Sequence, residues 1–208
     1  MMIALDQLTH GAPLAALLLL ATAGASLYGL AVSPPFIERN VLRPYALARG
    51  QGWATLVTSA FVHADLAHLV FNGITFWAFG FGLERRIGSE RFLALYVIGL
   101  LASGLGTWLQ HRREPEYRTL GASGAILAVL FASIVYTPTA SIYMLPIPVP
   151  IPAPVFAIAY LAYTVFAAHR RGGRVNHAAH LSGALAGLAF VAATDPAAFG
   201  AALRQAFG

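Results

Sequence analysis

The chain has 208 residues, of which 58% are hydrophobic and 10% charged, and its mean hydropathy is +0.69. Soluble domains hold about 45–50% apolar and about 25% charged residues, so this composition is that of an integral membrane protein. All 13 basic residues are arginine and the formal charge is +5. In a membrane protein that favours loops meeting anionic head groups, and no basic aromatic groove points to nucleic acid. Cysteine is absent, which excludes disulfides, thiolate metal sites and cysteine nucleophiles.

At about 20 apolar residues per crossing, the sequence divides into spans near 12–32, 65–83, 91–110, 120–137, 152–168 and 178–194. The expectation is one all-α domain over 1–208, a polytopic bundle of six transmembrane helices. Residues 1–11 carry no Lys or Arg to form the positive region of a signal peptide, so the first span reads as a retained anchor. Residues 33–64 place Pro34, Pro35 and Pro44 among Tyr45, Leu47, Trp53 and Phe61, a mixture suited to lying in the interface.

The second span opens with FVHADLAHLVFN, residues 61–72. His68 and Asn72 share a helical face, with Asp65 a turn earlier and Thr75 a turn later. Polar side chains in hydrocarbon are costly and usually face a bundle's interior, where they also serve as packing glue. His63 and His68, five residues apart, are expected to diverge.

From Thr119 to His169 there is no Asp, Glu, Lys or Arg, so the fourth helix can sit at the centre of the bundle. Gly121, Gly124, Ala125, Ala128 and Ala132 form a small-residue stripe that lets a neighbour approach. Ser123 projects from the other side. Its ordinary explanation is a hydrogen bond back to its own helix. Residues 138–154 hold six prolines, expected to form an extended polyproline-like strap. His169–Asn176, split by Gly172 and Gly173, could hinge. The sixth helix opens with HAAHLSGALAG, residues 177–187, where His180, Gly183 and Gly187 fall on one face.

In an alternating bundle, helices two, four and six start on the same side. His68 and Asn72, Ser123, and His180 each lie near one of those starts, so all four share a depth. A cavity there would hold a nucleophile, a general base and two hydrogen-bond donors, the parts of an acyl-transfer site.

GASGA at 121–125, the His and Asn of HLVFN at 68–72, FGLERRIGSERF at 81–92 and AHLSGALAG at 179–187 together resemble the rhomboid intramembrane serine proteases, in order and spacing, over about residues 50–194. The resemblance implies Ser123 as nucleophile, His180 as base, and His68, Asn72 and the Ser123 amide as the oxyanion site, with Gly121, Gly124, Gly183 and Gly187 supporting them. It also implies a first loop in the membrane plane and a fifth helix whose following loop caps the site.

No acid is placed to orient the imidazole. Asp195 lies about 22 Å along the helix from His180, and Asp65 suits a helix cap, so a Ser-His dyad without cofactor or metal is expected. The substrate would be a single-span membrane protein whose helix unwinds near its end. The resemblance has departures: Trp53-Ala54-Thr55 lacks the arginine that often follows this tryptophan in the family.

Orientation is contested by charge. Family topology, in a bacterial inner membrane with the site facing outward, puts Arg39, Arg43, Arg49, Arg112, Arg113, Arg118, Arg170, Arg171 and Arg174 outside, and Arg85, Arg86, Arg91 and Arg204 inside. That opposes the positive-inside rule. Two other classes fit parts of the sequence. One is a noncatalytic rhomboid-like protein that binds membrane clients; the other is a transporter or metal site using His68, Asp65, His177 and His180.

Overall fold

A computed structural model describes residues 11–144, 147–168 and 175–207, and places a helix in each of the six apolar stretches. In chain order these are α1 (Pro13–Ala31), short helices α2 (Pro34–Asn40), α3 (Pro44–Leu47) and α4 (Thr55–Thr58), then α5 (Leu66–Ile87), α6 (Ser89–His111) and α7 (Ser123–Tyr136). Strands β1 (Ser141–Met144) and β2 (Ile147–Pro152) follow, then α8 (Ala153–Ala168), α9 (His177–Thr194) and α10 (Pro196–Phe207). Four helices, α1, α5, α6 and α9, are long and apolar enough to cross a membrane; α7 and α8 are shorter apolar helices.

The brevity of α7 has a physical reason. Its 14 residues extend about 21 Å, less than the ~30 Å hydrocarbon core, but every residue from Gly124 to Val135 is buried. The helix meets protein rather than lipid. The outer helices instead turn large apolar side chains outward, among them Leu20, Trp77, Leu105 and Phe166, as a lipid-facing surface requires.

Helix α7 meets α9 through backbone. A Cβ on Gly183 would run into the Gly124 carbonyl, and one on Gly187 into that of Ala128. On its other flank, a Cβ on Gly99 of α6 would collide with Ala128. Small residues at these two crossings let the helix axes approach as branched side chains would not.

Several polar groups inside the bundle are paired. Glu84 is 1% exposed, and its carboxylate accepts from the amides of Leu14 (3.1 Å) and Ala15 (2.7 Å) and from Ser89 Oγ (2.6 Å). It thus caps α1, whose first turn offers amides without intrahelical acceptors and a positive dipole end. Asp65 caps α5 by accepting from the His68 amide at 2.8 Å, and Asn176 caps α9 by accepting from that of Ala179 at 3.0 Å.

The strap differs from expectation. It is extended, but β1 and β2 pair antiparallel as a hairpin, whose Ile142 is buried in one cluster with Leu127, Leu130 and Phe156. Alternating proline leaves β2 enough amides to make a ladder, so pairing replaces a solvated polyproline helix. The hinge expected at His169–Asn176 falls mostly outside the described residues.

Gly183→Ala and Gly187→Ala should each destabilise the fold by about 1–3 kcal/mol through overpacking. Gly24→Ala, where a Cβ would meet nothing within 4 Å, should be neutral or stabilising by about 0.5–1 kcal/mol. Thermal unfolding in detergent measures all three, and equal melting temperatures would refute the backbone contact as a stability determinant.

Candidate active site

Ser123 is the first residue of α7, and the loop before it is stitched down from two sides. Leu42 and Thr119 exchange backbone hydrogen bonds of 2.9 and 3.0 Å, and the Gly121 amide donates to the Ser59 carbonyl at 2.8 Å. Gly121 has φ +109°, a conformation that disfavours side chains. A Cβ there would also lie 2.7 Å from the His68 ring. Glycine is therefore required both by the turn and by the histidine beside it.

His180 reaches this point from the first turn of α9. Its Nε2 lies 2.8 Å from Ser123 Oγ, while Nδ1 lies 3.0 Å from the Tyr160 hydroxyl of α8. Tyr160 is held by Phe156, stacked at 5.5 Å, and by Phe131, tilted at 5.9 Å. The sequence reading missed Tyr160. The available signal was physical: a tyrosine inside an apolar helix must find a partner for its hydroxyl, and a buried histidine nitrogen is one.

His68 and Asn72 line the same cavity as Ser123 and His180. Asn72 donates one amide hydrogen to the His68 carbonyl at 3.0 Å, which leaves its second hydrogen for the cavity. Gly124, Gly183 and Gly187 sit at the α7–α9 crossing. The cavity measures about 700 Å³ and runs from Asp65 past Ser123 to Phe79 and Leu130, reaching Phe71, Ile74 and Tyr143, all exposed. Its lining also includes exposed Val175, just before α9.

Two placements correct or refine the sequence reading. His63 and His68 do not diverge: α5 begins only at Leu66, so His63 lies on the preceding loop, and the two rings meet edge to face at 4.8 Å. His177 stands beside Tyr163 (5.4 Å) and 6.3 Å from the His180 ring. Among the described residues no three His, Cys, Asp or Glu side chains gather as a metal site would need. Asp195 lies at the opposite end of the bundle, where its carboxylate accepts from the Tyr136 hydroxyl at 3.3 Å. Arg86 covers the same tyrosine ring at 5.5 Å.

The sequence model of the rhomboid domain matches residues 49–195. Among curated proteins, the chain is 29% identical over 183 residues to the mitochondrial RHOMBOID-like protein 12 of Arabidopsis thaliana, covering 80% of this chain and 54% of that protein. It is 36% identical over 93 residues to the putative rhomboid protease YdcA of Bacillus subtilis, 44% of this chain and 45% of YdcA. The rhomboid protease GluP of the same bacterium is 38% identical over 86 residues, 41% of this chain and 16% of GluP. The chain spans about half the length of the first two of these relatives. It belongs to the rhomboid family, and with its long apolar helices it is a multi-pass integral membrane protein.

His63 underlies the site without lining it. It is fully buried, Nδ1 is 2.9 Å from Ser26 Oγ, and Nε2 has no hydrogen-bond partner among the described residues. Burial, reinforced by neighbouring His68 and opposed by Asp65, lowers its pKa from 6.5 to about 4. An unfolded chain takes up this proton near pH 6.5, the folded one only near pH 4, so this contribution to stability is complete above pH 6.5 and shrinks as pH falls toward 4. Melting temperature in detergent should fall across that window. In His63→Asn, which keeps a partner for Ser26, the slope should be smaller; an unchanged slope would show that other groups set it.

Proposed function

We propose that the protein is an intramembrane serine endopeptidase that cleaves transmembrane segments of single-span, membrane-anchored proteins. The observation that carries this reading is the 2.8 Å contact between Ser123 Oγ and His180 Nε2 in a cavity whose lining includes the exposed residues Val175, Phe71 and Ile74. The rhomboid protease relatives agree with it.

In this mechanism His180 holds a hydrogen on Nδ1, donated to the Tyr160 oxygen, and presents the Nε2 lone pair to the Ser123 hydroxyl. As Oγ attacks the scissile carbonyl, Nε2 takes the hydroxyl proton and then returns it to the leaving amine. The acyl-enzyme is released by water repeating the same two transfers. The oxyanion forms at the N-terminus of α7, where the first amides lack intrahelical acceptors and the helix dipole favours negative charge. The Ser123 amide, the second Asn72 hydrogen and His68 supply the donors.

A peptide bond in an intact helix is shielded by its own hydrogen bonds, so the substrate must unwind at the site. Segments with small or helix-breaking residues near the cut are expected to be preferred. The site is proposed to face outward from a bacterial inner membrane, with Arg85, Arg86 and Arg91 on the cytoplasmic side.

A fluorophosphonate probe on sealed vesicles of known orientation tests both nucleophile and side. It should label the wild type from outside and spare Ser123→Ala. Cleavage of a single-span substrate should fall roughly 10,000-fold or more in Ser123→Ala and His180→Asn, and about 100-fold in Asn72→Ala. A folded wild type that neither labels nor cleaves any of a panel of such substrates would overturn the proposal. Tyr160→Phe leaves Nδ1 without its acceptor, and kcat should drop about tenfold with KM within twofold. A change confined to KM would remove Tyr160 from the mechanism.

A further inference from the structure

The hairpin between α7 and α8 has one edge closed by proline and one left open. In an antiparallel ladder, opposed residues alternate between pairs that exchange hydrogen bonds and pairs that point their N–H and C=O groups outward. The Ala153 amide donates to the Ala140 carbonyl at 2.9 Å. In the register Ser141 opposite Pro152, Ile142 opposite Ile151 and Tyr143 opposite Pro150, the bonded pair is therefore Ile142 with Ile151. Pro150 and Pro152 have no N–H to offer their outer edge, a common way to blunt a strand. Ser141 and Tyr143 on β1 turn intact N–H and C=O groups away from β2. Among the described residues no other backbone group bonds to that edge.

The open edge lies at bilayer depth. Ile142 belongs to the same buried cluster as Leu127 and Leu130, which stand about 6 and 10 Å along α7 from Ser123. Unpaired backbone groups at such depth are tolerated only where they line a cavity or gain a partner. Ile142, Tyr143 and Met144 line the cavity that contains Ser123 and His180, and Tyr143 is 60% exposed.

We propose that β1 is a docking strand: its outer edge pairs with the unwound stretch of the substrate's transmembrane segment on the membrane side of the scissile bond. This rests on the protease reading for the identity of the occupant. The complementarity is chemical. A helix that unwinds in the membrane frees amides and carbonyls with no water to take them, and β1 presents the same groups in the same want. Strand addition satisfies both, largely independently of side-chain sequence.

The chain has no cysteine, so Tyr143→Cys in a Ser123→Ala background gives a unique cross-linking handle. A single-span peptide carrying one cysteine at successive positions should cross-link at alternate residues, the period of a strand. Affinity for that peptide should fall about tenfold in Ser123→Ala/Tyr143→Pro, which removes an N–H the hairpin does not use, and stay within twofold in Ser123→Ala/Tyr143→Ala. Should the proline variant not fold, N-methylation of the cross-linked peptide residue removes the matching N–H and should produce the same loss on unmodified β1. Equal loss with proline and alanine, no loss with proline or N-methylation, cross-linking with a helical period, or cross-linking of two Tyr143→Cys chains to each other in preference to the peptide would each overturn the docking strand. Because the binding arms use the Ser123→Ala protein, docking without any cleavage or labelling by the wild type would sink the protease and leave the strand. Normal cleavage with undiminished docking to the proline variant would do the reverse.

Discussion

The closeness of α7 and α9 governs everything else at the site. Gly183 lies against the Gly124 carbonyl and Gly187 against that of Ala128, so the two helices are separated by little more than the thickness of their backbones. Ser123 immediately precedes Gly124, and His180 precedes Gly183 by one turn. With the axes fixed at that spacing, serine and imidazole meet at 2.8 Å without long side chains bridging a gap. Any Cβ at the crossing moves the helices before it touches either functional group, so packing and site geometry are one constraint.

The bilayer imposes the second. Without water to solvate them, buried polar groups must be answered locally, and the answers tie the first loop and α1 to the site. Glu84 holds the start of α1; farther along α1, Ser26 meets both the Phe61 carbonyl and His63; His63 abuts His68; and His68 backs onto Gly121. Asn176, capping α9, also donates to Thr107 on α6 and to Thr119 beside the GASG turn. These links explain how a short helix such as α7 is held at one depth.

What the sequence made legible follows from which signals are local. Helix positions, the Asp65 cap and the glycine stripe were readable because hydropathy, capping and small-residue spacing act within a few residues. That His68, Asn72, Ser123 and His180 line one cavity accords with helix alternation, a topological rule. His63 was misread because its direction depends on where α5 starts, a boundary one cap decides. The hairpin was misread because proline composition describes single-strand preference, whereas alternate prolines fit the outward positions of a ladder and so permit pairing. Tyr160 escaped because its meaning lies in a contact twenty residues away, on another helix.

Tyr160 also bears on the proposed dyad, which has no acid behind its histidine. A carboxylate behind His180 would orient the ring more strongly, but it would have to be desolvated inside the bundle, at a cost of several kcal/mol when incompletely paired. Glu84 shows what one buried carboxylate demands: two backbone amides and a hydroxyl. Among the described residues no comparable set of donors surrounds His180, whose contacts are Ser123, the Tyr160 hydroxyl and the edge of the His177 ring. A neutral phenol accepts one hydrogen bond without burying charge, and leaves the stabilisation of the developing oxyanion to the N-terminus of α7. In the proposed chemistry the electrostatic work therefore falls on amides that must be unpaired at a helix start in any case. The imidazole's orientation falls on α8, the helix that flanks the opening through which a substrate would enter.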